Sequence, residues 1–207
     1  MYQAEYLGKI IYSYHPDIAD IINRRREFKW ELFLKDSKDN IVVDVGAHIG
    51  LFTLLYASYA EKIYSFEPHP ENYKCLKMNT ADCSNVIPIE KAISTSNGIA
   101  KLHLDIHGSG GHSLRRIGDI VSIIEVETIK WDTFLKKYNI EEVEVLKLHV
   151  EGLEAEILED MKYLPNKIIV PYWHGYSGTV ENIERLLIEK GYKIIDRDVE
   201  NVYGIKN

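Results

Sequence analysis

Residues Ile41–Gly50 read IVVDVGAHIG, an apolar β-branched run that ends in a turn with two glycines. The run Ile41–Val45 is typical of a strand buried on both faces, as in a parallel sheet. The glycines let the backbone of the turn approach a ligand closely, and the helix predicted at Leu51–Ala60 presents its N-terminus to the same place. The turn departs from the dinucleotide-binding GxGxxG motif, because Ala47 and His48 stand where its middle glycine would be.

The pattern of a short buried strand followed by a helix repeats on the C-terminal side of this turn. Buried-type strands are predicted at Lys62–Phe66, Val86–Ile93, Val143–Val150 and Lys167–Trp173. Helices are predicted at Glu71–Ala81, Asp132–Tyr138, Gly152–Lys162 and Val180–Lys190, with Asp132 as a helix cap. This alternation indicates an α/β fold with a mainly parallel, Rossmann-like sheet, in which ligands bind beyond the carboxyl ends of the strands.

Two segments interrupt the alternation of strand and helix. Ile99–Asp105 and Val121–Ile129 alternate like strands, which predicts a β-hairpin insertion at about residues 98–129. Near the C-terminus, Tyr192–Asp196 and Val202–Ile205 predict an antiparallel pair that closes the fold.

The composition places the chain among globular proteins. It has 207 residues, of which 45% are hydrophobic and 28% charged, and these values exclude a disordered or fibrous chain. Residues 1–39, with an amphipathic stretch at Asp17–Leu34, are predicted to form an N-terminal helical extension, and residues 40–207 the main domain. The two cysteines, Cys75 and Cys83, fit neither a disulfide framework nor a metal site.

The chain is acidic, and its net charge of −7 argues against general nucleic-acid binding, which depends on basic residues that contact phosphates. The short basic clusters Arg24–Arg26 and Arg115–Arg116 are expected to be solvent-exposed faces. Residues 1–10 contain Glu5 and lack the apolar core of a signal peptide, and no apolar run approaches the length of a bilayer span. We therefore predict a cytoplasmic protein without a membrane partner.

One acidic residue follows the second predicted strand. Glu67 precedes Pro68 at the point where that strand ends. A carboxylate in this position accepts hydrogen bonds from the ribose hydroxyls of a nucleoside-type ligand. The alternative is a solvated strand end, but the neighbouring glycine turn favours the ribose role.

Three short motifs follow one another along the chain. They are Val43–Gly50 (VDVGAHIG), Phe66–Pro68 (FEP) and Lys147–Gly152 (KLHVEG). Supporting stretches are Lys91–Ser94 with Asn97–Gly98, Gly111–Leu114, Glu127–Ile129 and Trp131–Leu135. The ordered series resembles the FkbM family of class I S-adenosylmethionine (SAM)-dependent methyltransferases, over about residues 38–195.

The resemblance implies a class I methyltransferase fold, with a mainly parallel seven-stranded sheet that ends in a C-terminal antiparallel hairpin. It implies SAM as the cofactor, a hydroxyl of a small molecule or sugar as the methyl acceptor, and no metal. The cofactor-binding residues that it implies are Asp44, Gly46, Ala47, His48, Gly50, Glu67, Pro68, Lys91 and Ala92. The glycine turn belongs to the methionine end of SAM, Glu67 to the ribose, and Lys91 and Ala92 to the adenine.

The third motif departs from the family at one position. The family's Lys-Ile-Asp-Val-Glu-Gly is here Lys147–Gly152, with His149 in place of the aspartate. Histidine has an ordinary pKa of about 6.5 and serves as a base near neutral pH. We predict His149, Glu151 and His174 as catalytic residues. The alternatives are a packing role for His149 with little or no activity, and a helix-dipole role for Glu151.

Three other functions stay open at this point. An RNA methyltransferase on the same fold is disfavoured by the net charge of −7. The only sequence feature that favours a SAM-binding module without turnover is the substitution at His149. A nicotinamide-dependent oxidoreductase is disfavoured by the missing middle glycine. His107 and His112 are candidate metal ligands, but no carboxylate-rich spacing accompanies them, so no metal site is predicted.

Overall fold

The N-terminal segment contains a β-hairpin in addition to helices. The structure, a computed structural model, describes residues 1–106, 110–116, 118–172 and 179–207. Its first elements are β1 (Tyr2–Tyr6), β2 (Lys9–Ser13), α1 (Ile18–Arg25) and a 3₁₀ helix (Trp30–Phe33). The prediction of helices alone is therefore wrong for residues 2–13. The hairpin turn has positive φ at Leu7 and Gly8, and a leucine at the first of these positions hides the usual sequence signal of such a turn.

Strands and helices alternate from residue 41 onward. In chain order they are β3 (Ile41–Val45), α2 (Leu51–Tyr56), β4 (Lys62–Phe66), α3 (Pro70–Asn79), β5 (Val86–Ile89), β6 (Ala92–Ile93), β7 (Gly98–Asp105), β8 (Ile120–Ile129), α4 (Trp131–Tyr138), β9 (Val145–Leu148), α5 (Glu154–Asp160), β10 (Lys167–Pro171), α6 (Val180–Glu189), β11 (Tyr192–Arg197) and β12 (Asn201–Lys206). Asp132 is not the cap of α4. It lies inside the first turn, and its Oδ1 accepts a hydrogen bond from the backbone N–H of Lys162.

Within the described ranges, seven strands form the central sheet in the order β11-β12-β10-β9-β3-β4-β5. The pairs β9/β10, β3/β9, β3/β4 and β4/β5 are parallel. The C-terminal strand β12 pairs antiparallel with both β10 and β11. The predicted α/β fold and closing antiparallel hairpin are confirmed.

The predicted strand Val86–Ile93 is split between two sheets. β5 ends the central sheet, and β6 belongs to a small sheet of order β6-β8-β7. The backbone N–H of Lys91 bonds to the oxygen of Ile89, which turns the chain sharply between the two strands. Residues after β5 thereby leave the central sheet and enter the small sheet.

One face of the central sheet packs against helices of the main domain. Val43 and Val45 of β3 belong to an apolar cluster that includes Phe134 of α4, Ile157 of α5 and Leu187 of α6. Side chains alternate between the two faces of a strand, so Val42 points to the opposite face. None of the helices that the described residues form is long and apolar enough to cross a membrane.

The opposite face packs against α2 and the N-terminal segment together. The ring of Trp30 lies 5.3 Å from that of Phe52, which stacks on Tyr56 at 4.3 Å between centroids. The hydroxyl of Tyr56 donates a hydrogen bond of 2.7 Å to the backbone oxygen of Trp30. Ile11 of the hairpin is fully buried in the same cluster. The N-terminal segment thus shares the hydrophobic core of the main domain.

Candidate active site

The glycine turn after β3 is shaped by the neighbouring strand β9. Gly46 has a φ of +73°, and a side chain there would overlap the backbone oxygen of His149 and lie 2.9 Å from its carbonyl carbon. Gly50, directly before α2, has a φ of +95° and would bring a side chain to 2.9 Å from Leu76 Cδ1. Gly46 therefore needs glycine for its packing against the backbone of β9, and Gly50 needs it for its left-handed backbone conformation.

A buried ion pair supports the turn. Lys147 Nζ lies 2.8 Å from Asp44 Oδ1 and donates a hydrogen bond, also of 2.8 Å, to the backbone oxygen of Gly46. Thr53 Oγ1 donates to the other carboxylate oxygen of Asp44 at 2.7 Å. Burial lowers the pKa of Lys147, and the negative charge of Asp44 opposes that shift. Asp44 thus holds the turn in place from within the core.

Glu67, directly after β4, fixes the backbone at two places. Its Oε2 accepts a hydrogen bond from the N–H of His48 at 2.8 Å, and its Oε1 accepts one from the N–H of His69 at 2.9 Å. Burial raises the pKa of Glu67 to about 7, although both N–H groups favour the charged form. Glu67 is only 6% exposed, which excludes the alternative of a solvated strand end.

A cavity, here called the strand-end cavity, opens at the carboxyl ends of β3, β4 and β9. The predicted site residues that line it are Gly46, His48, Glu67, Pro68, Lys91, Ala92, His149 and Glu151. The remaining predicted cofactor-binding residues do not line it. Asp44 lies in the core, Gly50 faces α3, and Ala47 lines a smaller neighbouring cavity. The predicted catalytic residue His174 lies outside the described residues.

A second cavity, here called the outer cavity, adjoins the strand-end cavity. The residues that line both are Arg25, Gly110, His149 and Glu151. The remaining lining of the outer cavity, in which charged side chains predominate, consists of Asp17, Ile21, Arg24, Asp105, Gly111 and Glu200. The two compartments therefore meet at these four shared residues, of which His149 and Glu151 were predicted as site residues.

His149 and Glu151 form a close pair with unusual pKa values. His149 Nε2 lies 2.9 Å from Glu151 Oε1, without the alignment of a hydrogen bond. Burial, reinforced by the positive charges of Arg25 and Lys147, lowers the pKa of His149 well below its usual value. Burial raises the pKa of Glu151 to about 7. Burial thus shifts the two pKa values in opposite directions, and both residues stay predicted catalytic residues.

The backbone around Glu151 is held by Glu154, a residue that the sequence reasoning missed. Glu154 Oε1 accepts a hydrogen bond from the N–H of Val150 at 2.9 Å, and Oε2 accepts one from the N–H of Gly152 at 2.8 Å. Ser113 Oγ donates to the backbone oxygen of Glu151 at 2.6 Å. Glu151 itself has a φ of +58°. These contacts keep the Glu151 backbone in a left-handed conformation that is rare for a residue with a side chain.

Arg25 is a second residue that the sequence reasoning missed, because it lies in a basic cluster that was expected to be exposed. It is the last residue of α1 and lines both cavities. Ile18 and Ile22 of the same helix are buried. Residues seven and three positions before Arg25 lie on its face of the helix, so this spacing was the available signal.

The histidines near the hairpin insertion form no recognisable metal site. In the part of the chain that the structure describes, no group of three or more His, Cys, Asp and Glu residues is arranged to hold a metal ion. His112 packs against His69 with 4.6 Å between ring centroids, and burial lowers the pKa of His112 to about 4. His107 lies outside the described residues.

The sheet order, the glycine turn after β3 and the buried carboxylate after β4 define a class I SAM-dependent methyltransferase. The sequence profile of the methyltransferase FkbM domain matches residues 44–194. The chain therefore belongs to the FkbM methyltransferase family, and its cofactor is SAM.

Two methyltransferases are similar to this chain in sequence. Methyltransferase sdnD of Sordaria araneosa is 30% identical in an alignment that covers 74% of this chain and 73% of that protein. The hexuronic acid methyltransferase AglP of Haloferax volcanii is 29% identical over 133 residues, which cover 63% of this chain and 54% of that protein.

Solved structures with low sequence identity share the fold. The methyltransferase FkbM from Methylobacillus flagellatus KT has a TM-score of 0.50 at 16% identity, and the match covers 80% of this chain and 43% of that one. M. jannaschii TYW2, solved in complex with AdoMet, has a TM-score of 0.52 at 17% identity, covering 99% and 86% of the two chains.

Proposed function

We propose that this protein transfers the methyl group of SAM to a hydroxyl oxygen of a small molecule or sugar. The observation that carries the proposal is the meeting of two cavities at His149 and Glu151. Methyl transfer needs two reactants held side by side in a defined orientation, and the strand-end and outer cavities offer one compartment for each. The relative AglP, a hexuronic acid methyltransferase, supports a sugar as the acceptor class.

The polar groups that line the strand-end cavity fit the polar groups of SAM. We assign the ribose to Glu67, whose carboxylate has about four acceptor positions. Two backbone N–H groups and the side chain of Asn72 use part of that capacity, and the remainder suits a ribose hydroxyl. We assign the methionine end to the turn at Gly46–His48, and the adenine to Lys91 and Ala92 beyond β5.

Bound SAM supplies an electrophilic methyl group. The chain's own residues must then accept the proton of the acceptor hydroxyl and keep water out. We propose Glu151 as the base, because a pKa of about 7 is well matched to proton transfer at neutral pH. The neutral ring of His149 lies beside the Glu151 carboxylate, 2.9 Å away. His174 stays a predicted catalytic residue.

The test is transfer from SAM with a deuterated methyl group, using the full chain. The acceptor panel contains hexuronic acids, neutral sugars, hydroxylated aromatic compounds and bulk tRNA, with products analysed by tandem mass spectrometry. We expect one labelled methyl ether in a sugar or small-molecule product. Labelled tRNA without a labelled small molecule would contradict the proposal, and so would tight SAM binding without transfer to any acceptor.

The partners and the location of the protein complete the proposal. The net charge of −7 supports a protein without a nucleic-acid partner. A cytoplasmic location stays a prediction of the sequence, and fractionation of cells that produce a tagged full chain would test it.

A further inference from the structure

Arg25 brings a positive charge into the cleft without a carboxylate partner. Its Cζ lies 4.9 Å from the ring centroid of Phe28 and 5.3 Å from that of Trp30. Glu151 and Glu200 act on it through space, but among the described residues none accepts a hydrogen bond from its guanidinium. A partly buried cation that lies against aromatic rings and has no hydrogen-bonded carboxylate is suited to an anionic ligand.

The other cations around the strand-end cavity are already paired. Lys91 forms an ion pair with Glu127, and Lys147 forms one with Asp44. Both lysines are therefore neutralised by the chain itself. Of the described cations that line this cavity, Arg25 is the one that remains for a ligand.

Arg25 lies at the glycine-turn end of the cleft. Besides the two main cavities it lines the small cavity that is bounded by Gly46, Ala47 and His48. Lys91 and Ala92 lie beyond β5, at the end assigned to the adenine. A ligand in this orientation brings its methionine portion, which carries a carboxylate, to the end where Arg25 lies.

We propose that Arg25 binds the carboxylate of the methionine portion of SAM, so that the N-terminal segment completes the cofactor site. The planar guanidinium matches a carboxylate with two parallel hydrogen bonds, which a lysine does not reproduce. The inference rests on the cofactor orientation proposed above. It does not depend on the identity of the acceptor.

Calorimetry with two ligands tests this assignment. S-Adenosylhomocysteine (SAH) carries the carboxylate, and decarboxylated SAH lacks it but keeps the rest of the molecule. We expect the wild-type protein to bind SAH roughly tenfold to a hundredfold more tightly than the decarboxylated analogue, the usual effect of a charged hydrogen-bonded pair. Arg25→Met should bring this ratio close to one, and Arg25→Lys should lower it in part.

Arg26→Met is the matched control, because Arg26 is the next residue and is exposed. It should keep the wild-type ratio. A wild-type ratio of one, or an unchanged ratio in Arg25→Met, would overturn the proposal. Should Arg25→Met not fold, an unchanged ratio in Arg25→Lys would do so. If Arg25→Met changed only the KM of an acidic acceptor and not the binding of SAH, Arg25 would be assigned to the acceptor. That result would also overturn the proposal. Glu67→Gln tests the proposed cofactor orientation separately from the role of Arg25. Normal SAH affinity in that variant would contradict the orientation itself.

Discussion

Gly8 and Gly46 have nearly the same backbone conformation, with φ of +74° and +73°, but opposite surroundings. A side chain at Gly8, in the turn between β1 and β2, would meet no described atom within 4 Å. A side chain at Gly46 would overlap the backbone oxygen of His149. The hairpin turn is thus specified by its own dihedral angles, whereas the turn in the active site is specified by a strand that is distant in the sequence.

The two regions are joined by one side chain. Asn79 Oδ1 accepts a hydrogen bond of 2.8 Å from the N–H of Tyr12 in β2. Its Nδ2 donates to the backbone oxygens of Tyr12 at 3.0 Å and of Ile49 in the glycine turn at 2.8 Å. The N-terminal hairpin is therefore anchored to the site through α3.

The largest effect is expected at Glu151, in the candidate active site. Glu151→Gln should lower kcat by about 10²–10⁴-fold, the usual contribution of a general base. The carboxyl must be deprotonated to accept a proton, so the wild-type rate should rise with pH through the pKa of about 7. A pH–rate profile should show this rise for the wild type and not for the variant.

His149→Asn provides the comparison for that profile. Because burial keeps the pKa of His149 far below its usual value, this variant should lose less activity and keep the rise near pH 7. A profile in which His149→Asn abolishes the rise, while Glu151→Gln retains it, would make His149 the base.

The next effect concerns stability and compares the two glycines directly. Gly46→Ala should lower the free energy of unfolding by about 3 kcal/mol or more, because left-handed strain and overpacking add. Gly8→Ala has the same φ without the overlap, and should cost only about 1–2 kcal/mol. Urea unfolding measures both. Equal costs would mean that β9 does not constrain the turn.

A smaller effect is expected at the carboxylate after β4. Glu67→Gln should weaken SAH binding by roughly tenfold to a hundredfold, because a charged acceptor of hydrogen bonds is lost. Glu71→Gln, at an exposed position of α3, should bind SAH like the wild type. Calorimetry compares the two variants, and circular dichroism checks that each is folded. Equal affinities would remove Glu67 from the cofactor site.

The smallest effect tests the connection between the regions. Asn79→Ala leaves backbone groups of Tyr12 and Ile49 without partners and should cost about 1–3 kcal/mol of stability. It should also expose the hairpin to limited proteolysis. Asn85→Ala, which loses two hydrogen bonds to Ala57 and Ala60, should lower stability without that exposure. Identical cleavage patterns would show that Asn79 does not anchor the hairpin.

Local patterns were sufficient to predict the central sheet. The β-branched run at Ile41–Val45 and the strand at Lys62–Phe66 were predicted with their observed bounds. Each is a short apolar segment followed by a turn, and burial on both faces leaves little alternative to a strand. The break between β5 and β6 was not predictable in this way, because a tight turn at Lys91 divides one continuous apolar-rich stretch.

The part of the candidate site that the sequence indicated consists of residues that closely follow strands of the central sheet. Glu67 and Glu151 line the strand-end cavity as the motifs indicated. Arg25 and Glu154 were missed, because their roles come from tertiary contacts of side chains that look like ordinary surface charges. The pKa values of His149 and Glu151 follow from burial, which a sequence motif does not report.

The central claim is that the cofactor and acceptor compartments meet at His149 and Glu151. A crystal structure of the full chain with SAH tests it most directly. We predict SAH in the strand-end cavity, with its ribose hydrogen-bonded to Glu67 and its sulfur facing the outer cavity beside Glu151. SAH bound elsewhere, or a sulfur atom that faces away from the outer cavity, would contradict the account.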